Sequence, residues 1–326
     1  MAITRFQYIR RRLLLAVPVI FFIVVLNFLL IQLAPGDAAD VLAGEAGSAT
    51  PEYMQQLRQK FGLDQPIYIQ LWNYVKNVIT LDLGFSFRHN KSVSDLILSR
   101  LGPTLLLMFT VLVLSVSIGI LLGSIAARYL NKWQDNLIST AVVLTYATPV
   151  FWAGLMLIVI FSVKLGWFPT SGMEKVAAFK TGFIRIVDIA HHMVLPVITL
   201  TLFYLALYAR LMRASVIEQY TMDYVTTARA KGLQENRIMW KHILKNACLP
   251  VLTMAGIQAG ALLGGAVVVE TVFSWPGLGL LAYDSLFARD LNLLLGIFFI
   301  SACLVVIVNL IVDIFYASLD PRIELK

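Results

Sequence analysis

The chain has 326 residues, of which 59% are hydrophobic and only 14% are charged, and its mean hydropathy is +0.79. These values exclude an ordinary soluble domain and predict an integral membrane protein. The formal net charge of +7 is explained by membrane topology and contact with anionic lipid, so no nucleic-acid partner is expected.

Six uncharged stretches are long enough to cross a bilayer, and they predict an all-α protein with six transmembrane helices. Transmembrane strands are not predicted, because polar residues do not alternate with apolar ones. The fourth stretch is the shortest and lies at the lower limit for a span. The predicted spans are 13–34, 101–127, 136–163, 193–209, 246–269 and 291–316.

The distribution of Lys and Arg predicts the orientation of these spans. Basic residues are concentrated in the amino-terminal segment 1–12 and in the loop 210–245, so both are predicted to be cytoplasmic. With six spans, the tail 317–326 is also cytoplasmic. The remaining long loops, predicted to be external, are 35–100, 164–192 and 270–290.

The first external segment is too long for a simple connector and is predicted to contain short helices. One helix runs from Pro51 to Lys60 and is ended by Gly62, and a second begins near Pro66. The second is amphipathic, so it either lies on the bilayer or covers the outer mouth of a path. A folded cap is the plainer interpretation.

Glycines four residues apart occur in the second and fifth spans. Spacing of four places them on one helix face, where two helix backbones can approach closely. We predict helix packing at these positions, and a moving interface between two helical bundles is the alternative. The glycines are Gly119, Gly123, Gly256, Gly260 and Gly264.

The sequence lacks the motifs of several enzyme classes. It has no phosphate-binding loop ending in Gly-Lys-Ser/Thr, no His-Glu-x-x-His zinc motif and no nucleophile elbow. Adjacent residues on a helix point in different directions, so His191 and His192 are not predicted to share a metal. We therefore expect no catalytic residue, cofactor or metal in this chain, and energy is expected from another subunit.

The loop between the fourth and fifth spans contains the most informative segment. A helix is predicted to begin near Asp223 and to end at Gly232, which suits the left-handed cap position. Small alanines keep this helix slim enough to enter a groove of a partner, whereas an interfacial helix held by anionic lipid is the alternative. The candidate contact residues are Asp223, Tyr224, Ala228, Arg229, Ala230, Lys231, Gly232 and Leu233.

Several motifs carry a resemblance to a known family over nearly the whole chain. They are Leu33–Asp37, Phe61–Asp64, Asp82–Ser86, Arg100–Thr104, Asp223–Leu233, His242–Ala247, Glu270–Gly279 and Asp320–Arg322. With them the chain resembles the permease subunit of peptide- and nickel-class ABC importers, of the dipeptide and oligopeptide B type. The proline of the general permease motif is absent at Lys245 and follows later at Pro250, as in the peptide-type branch.

The resemblance implies a single permease domain from about residue 95 to residue 316, in the bacterial cytoplasmic (inner) membrane. It implies a heterodimer with a second homologous permease, two cytoplasmic ABC ATPase subunits that bind ATP and Mg, and an external solute-binding protein. The helix at 223–233 would dock on an ATPase, and this chain would form half of the translocation path. ATP hydrolysis would then take place in the partner subunits.

The sequence leaves the solute open among dipeptides, oligopeptides, nickel chelates, glutathione and oligosaccharides, and a peptide is preferred. A self-contained, ion-coupled secondary transporter is the alternative function, although the repeats, broken helices and buried charges of such carriers are not evident. Candidate path-lining residues, which ordinary hydrogen bonds between helices would explain equally well, are Tyr146, Thr148, Pro149, Tyr204, Tyr208 and Gln258.

The segment Glu270–Gly279 is predicted to form a tight external turn. Phe273, Trp275, Pro276 and Gly277 are candidates for an outer gate or a docking surface for the binding protein. An anchor at the membrane interface, built from the two aromatic residues, is the alternative.

Overall fold

The computed structural model describes residues 5–33, 50–61, 64–86, 88–175 and 181–319. Residues 34–37 of the first family motif, Gly62 and Leu63 of the second, and the tail motif Asp320–Arg322 lie outside the described residues. The described chain is mostly helical and forms two compact units. One unit contains the described residues up to Arg100 together with Ala282–Leu310, and the other contains Leu101–Leu281 and the residues from Ile311.

The elements before the second unit are mainly short. They are α1 (Arg5–Leu33), α2 (Pro51–Phe61), α3 (Ile67–Ile79), β1 (Phe85–Ser86) and β2 (Lys91–Ser92). Both helices predicted within the segment 35–100 are present as α2 and α3. The strands form an antiparallel hairpin in which Phe85 pairs with Ser92, an exception to the all-α prediction. Val24, Val78 and Phe299 form the apolar core of this unit.

The remaining elements are helical. They are α4 (Val93–Arg128), α5 (Trp133–Ala147), α6 (Val150–Leu157), α7 (Gly182–Tyr220), α8 (Asp223–Ala230), α9 (Glu235–Ile238), α10 (Leu244–Val272), α11 (Leu278–Ala288) and α12 (Leu291–Leu319). A π-helical segment, Ile158–Lys164, continues α6, and another, Met239–Ile243, joins α9 to α10.

Close approach of α4 to α7 explains two of the predicted packing glycines. A Cβ added at Gly119 would lie 2.5 Å from Cβ of Tyr208, and one added at Gly123 would lie 2.5 Å from the carbonyl oxygen of Ala209. Both distances are far inside van der Waals contact, so only glycine fits. Tyr208 is completely buried, which places this contact in the core of the second unit.

The other packing glycines behave differently from one another. A Cβ at Gly256 would collide with the side chain of Val312, as expected for a packing position. Gly260 is buried. Gly264 is exposed, and an added Cβ would have no atom within 4 Å. Within this chain, the structure therefore gives Gly264 no packing role.

The predicted third span, 136–163, is not one straight helix. It is divided into α5 and the segment Val150–Lys164, which contains α6 and its π-helical continuation, and the two axes differ by 102°. Pro149 has no N–H to donate and disfavours helical geometry in the preceding residue, and Thr148 is accordingly extended, with ψ 125°. Hydropathy alone does not reveal this break, because the apolar run continues on both sides of the proline.

Length and composition identify several helices that can cross a membrane. Among the described residues they are Val93–Arg128, Gly182–Tyr220 and Leu291–Val312, with two bent pairs, Trp133–Ala147 with Val150–Lys164 and Glu235–Leu262 with Ala266–Val272. Leu14–Leu30 of α1 is a shorter apolar stretch. The predicted fourth span, the shortest of the six, lies inside α7, which has 39 residues.

Candidate functional site

The short helix α8 has one buried face. Val225 is fully buried and Ala228 is 7% exposed, and both belong to the apolar core of the second unit. Ile238, Met239 and Ile243, which follow α8 in the chain, are buried in the same core. The helix is therefore held against the unit along its length rather than attached only at its ends.

The carboxyl end of α8 closes with a Schellman motif. The N–H of Leu233 donates to the carbonyl oxygen of Ala228 at 3.3 Å, and the N–H of Gly232 donates to that of Arg229 at 2.9 Å. Gly232 has φ +77°, the left-handed conformation that the sequence predicted for it. Leu233, the residue after the glycine, packs against the core and fixes the exit of the chain.

An ion pair joins α8 to the next helix. Nε and Nη2 of Arg229 donate to the two carboxylate oxygens of Glu235 at 2.6 and 3.2 Å. This hydrogen bonding lowers the pKa of the Glu235 carboxyl below its ordinary value. The pair is exposed and adds little stability, so its effect is to orient the Arg229 side chain, which also lies 5.8 Å from the ring centre of Tyr220.

The eight predicted contact residues separate into an exposed group and an inner group. Asp223, Arg229, Ala230, Lys231 and Gly232 are exposed. The inner group is Tyr224, Ala228 and Leu233, which pack against or within the core. As an inner residue, Ala228 is placed to hold α8 rather than to touch a partner.

An ion pair between a buried carboxylate on α5 and a partly exposed guanidinium on α7 lies ten residues before α8. Asp135 is 2% exposed, and its two carboxylate oxygens accept hydrogen bonds from Nε and Nη2 of Arg213, each at 2.7 Å. The carboxylate also accepts from the backbone N–H of Asn131 and from Ser139. Asp135 borders the predicted third span, and nothing in the sequence indicates its contact with Arg213, 78 residues later. It fixes the start of α5 to α7.

The predicted external turn is built from buried residues. Phe273 is 1% exposed and Trp275 is fully buried, with its indole N–H donating to the carbonyl oxygen of Pro103 at 3.0 Å. Pro276 is half-buried and Gly277 is buried. Neither aromatic side chain is available in this chain as a membrane anchor or an exposed gate, so the predicted surface role does not match their burial.

The same turn contains a carboxylate that the sequence analysis did not single out. Glu270 is fully buried and accepts hydrogen bonds from the hydroxyl of Thr104 at 2.7 Å and from the N–H of Gly279 at 2.7 Å. The N–H of Leu280 donates to it at 3.2 Å. In the sequence, Glu270 is visible only as an acidic residue that precedes Gly277 by seven positions and Gly279 by nine. That spacing does not identify the groups that donate hydrogen bonds to it.

The candidate path-lining residues are divided between surface and core. Tyr146 is half-exposed, stacks on Phe203 with ring centres 5.5 Å apart, and lies under the guanidinium of Arg210 at 4.8 Å. Pro149 is also exposed. Tyr204 and Tyr208 are buried in the core of the unit. Thr148 and Gln258 are intermediate, and the Thr148 hydroxyl donates to its own helix.

The two adjacent histidines each have a separate partner. A ring nitrogen of His191 is 2.9 Å from the carbonyl oxygen of Trp167, and one of His192 is 2.8 Å from that of Asp188. Within the described part of the chain, no group of three or more His, Cys, Asp or Glu side chains is arranged to hold a metal ion.

The described chain combines long apolar helices, one bent helix pair, and a small capped helix that lies in sequence between α7 and α10. The chain belongs to the family described as "Binding-protein-dependent transport system inner membrane component", which matches residues 119–325. The amino-terminal family described as "Binding-prot-dependent transport system membrane comp, N-term" matches residues 5–108.

Curated relatives and solved structures agree with this family. The chain is 41% identical over 320 residues to the glutathione transport system permease protein of Escherichia coli K12, covering 98% of this chain and 99% of that protein. The protein of the same name from Shigella dysenteriae serotype 1 gives the same values, 41%, 98% and 99%.

Two solved transporters share the fold. An inward-facing structure of the MetNI methionine ABC transporter is 17% identical, covers 69% of this chain and 96% of its own, and gives a TM-score of 0.56. An amino acid ABC transporter with histidines is 18% identical, covers 69% and 94%, and gives a TM-score of 0.51.

The protein is therefore a permease subunit of an ABC importer in the bacterial inner membrane. It is a membrane component and not an enzyme, and ATP hydrolysis lies in partner subunits. The alternative of a self-contained secondary transporter is not supported by these comparisons. Membership of this family implies in general a partner permease, an ATPase and a binding protein.

Proposed function

We propose that this permease subunit forms half of the translocation path for a small peptide of the glutathione type. The solute class is supported by relatives named for glutathione transport, which align with this chain over 98% of its length. Glutathione is itself a tripeptide, which agrees with the preference for a peptide solute. A solute-binding protein on the outer side delivers the peptide.

The contact with the ATPase is proposed to lie on the exposed part of α8. Its support is a helix that is buried on one face, closed by a Schellman motif and exposed on the other face. Asp223, Arg229, Ala230, Lys231 and Gly232 form this docking surface. Because the opposite face is packed into the core, a displacement of the docked helix is passed to α7 and α10.

The partners are proposed to be a second, homologous permease, giving a heterodimer, and two cytoplasmic ABC ATPase subunits that hold ATP and Mg. Membrane lipid surrounds the apolar helices. Large hydrophobic side chains are exposed along α1 and α4, as a surface facing lipid or a second permease requires.

The topology is proposed to have six spans with both termini in the cytoplasm. The first span lies in α1, and the others correspond to α4, the broken pair α5 and α6, α7, α10 and α12. The permease domain then extends from about residue 95 to residue 316. Tyr146 and Pro149, exposed at or near the break, are the candidates retained for the path.

Reconstitution tests the solute and the energy source together. The permease pair and its ATPases are placed in proteoliposomes with the binding protein and ATP, and uptake of labelled glutathione is compared with uptake of a labelled dipeptide. Uptake of glutathione that requires both ATP and the binding protein is the expected result. Preferential uptake of the dipeptide would overturn the proposed solute, and uptake driven by an ion gradient without ATPases would overturn the function.

A further inference from the structure

The buried carboxylate of Glu270 joins three parts of the second unit. It belongs to α10, its Oε1 accepts from the hydroxyl of Thr104 on α4, and its Oε2 accepts from the first turn of α11 through Gly279 and Leu280. Both oxygens accept hydrogen bonds, one from α4 and the other from α11. A helix begins with N–H groups that have no partner in the helix, and a carboxylate there satisfies them.

Thr104 completes this arrangement from the other side. Its hydroxyl donates to Glu270 and accepts from the N–H of Leu278 at 2.8 Å, so one side chain uses both of its hydrogen-bonding roles. Thr104 is 1% exposed. The neighbouring carbonyl oxygen of Pro103 accepts from the indole of Trp275. Two consecutive residues of α4 are thereby bound to the turn between α10 and α11.

Two positions of the turn must be glycine because the Glu270 carboxylate leaves no room for a side chain there. A Cβ added at Gly277 would collide with the carboxyl group of Glu270, and one added at Gly279 would lie 2.5 Å from the backbone of Val267 and 2.9 Å from Oε2 of Glu270. The backbone of the turn is thus pressed directly against the carboxylate. Ser274, at the apex, has φ +48°, a conformation that needs support from the surrounding contacts.

We propose that Glu270 and Thr104 are positioning residues for transport, which hold the turn 273–281 as one rigid piece between α4, α10 and α11. Through this piece, a movement of α10 that begins at the ATPase side is passed to α4 and to the start of α11. The proposal rests on the transport function of the chain. It depends neither on the identity of the solute nor on the residues of α8 that contact the ATPase.

The matched variants are Glu270→Gln and Thr104→Val, with Thr104→Ser and Asp284→Asn as controls. Glutamine keeps the size of the side chain but replaces one acceptor with a donor, and valine removes the hydroxyl. Thr104→Ser retains the hydroxyl, and Asp284 is an exposed acidic residue of α11. The measurements are solute uptake per ATP hydrolysed, basal ATPase activity and the stoichiometry of the purified complex.

We expect Glu270→Gln to assemble normally and to keep basal ATPase activity, while uptake per ATP falls about tenfold, as for the loss of one hydrogen bond to a charged group. Thr104→Val should show a smaller fall of the same kind, and both controls should match the wild type. Unchanged uptake per ATP in both variants would overturn the proposal. So would a fall in uptake that only follows the loss of assembled complex, because a purely structural role predicts that result.

If the Glu270→Gln protein does not accumulate in the membrane, the Thr104→Val variant tests the proposal through the same measurements of uptake per ATP, basal ATPase activity and complex stoichiometry. A wild-type complex that does not transport in this assay would instead contradict the proposed solute, since the variants are read only against a transporting wild type.

Discussion

Gly232 allows the conformational and steric requirements of the proposed docking surface to be separated. Its φ of +77° disfavours any side chain, yet an added Cβ has no atom of this chain within 4 Å. We expect Gly232→Ala to cost the cap about 1 kcal/mol through backbone strain and to leave ATPase binding largely intact. Gly232→Trp should insert normally and lose ATPase binding, because its bulk occupies the surface.

Pull-down of the ATPase by each tagged variant, with membrane insertion measured in parallel, distinguishes the two effects. Equal loss in both variants would mean that the shape of the cap, and not the space above it, matters. Full binding by Gly232→Trp would remove Gly232 from the docking surface.

The pair of Asp135 and Arg213 gives a prediction about stability. Replacing Asp135 with alanine leaves a partly buried guanidinium without its carboxylate, and we expect a loss of about 2 kcal/mol, less than for a fully buried pair because Arg213 is partly exposed. The thermal unfolding midpoint in detergent reports the change. In a double-mutant cycle with Arg213→Ala, the second substitution should cost less once the first is present. Additive costs would show that the two side chains do not act as a pair.

Residues differ in how far the sequence predicts their roles. Gly232 was predictable, since a glycine that ends a short helix has a local cause that lies entirely within neighbouring residues. Glu270 and Thr104 are 166 positions apart and meet only through the fold. Phe273 and Trp275 were assigned to the surface because aromatic residues near span ends are commonly interfacial, and only the packing shows that they are buried.

At the scale of elements, the contact of α4 with α7 explains why Gly123 differs from Gly264. A Cβ at Gly123 would lie 2.5 Å from the carbonyl oxygen of Ala209 and 3.0 Å from the backbone nitrogen of Arg213, neither of which can move cheaply. We expect Gly123→Ala to destabilise the protein by about 2 kcal/mol through overpacking. Gly264→Ala, at an open position of α10, should be neutral in the same thermal unfolding measurement.

A similar loss in both variants would indicate a general intolerance of these helices to alanine, and no loss at Gly123 would contradict the close approach. Spacing of four residues predicted both positions equally, because periodicity identifies a helix face but not what lies opposite it. The break between α5 and α6 has the same origin. Pro149 was visible in the sequence, but the 102° angle depends on the packing of both halves.

At the scale of the whole molecule, the proposed topology predicts which positions a membrane-impermeant thiol reagent reaches. In a chain whose native Cys248 and Cys303 are replaced by serine, His89→Cys in the β-hairpin should react in intact cells. Gln234→Cys, after the cap of α8, should react only when the membrane is permeabilised. Both native side chains are exposed in the structure, so access depends on the side of the membrane. Labelling of Gln234→Cys in intact cells would reverse the orientation.

Membrane character and family were predictable for the whole chain because composition and dispersed motifs are properties of the sequence itself. The bounds of the helices were less predictable. His192 and Arg210 set the limits of the predicted fourth span, 193–209, yet α7 continues through both of them. Hydropathy detects where hydrocarbon begins and ends, whereas a helix ends only where its hydrogen bonds do.

The length of α7 has a mechanical consequence. Its 39 residues, which include Pro196, extend about 58 Å at the usual helical rise, roughly twice the thickness of the hydrocarbon layer. A helix that extends beyond both surfaces of the hydrocarbon layer amplifies small rotations. A tilt of about 10° about its midpoint moves each end by about 5 Å. Since α8 begins three residues after α7 ends, a displacement of that size at α8 needs only a small rotation of α7 within the membrane.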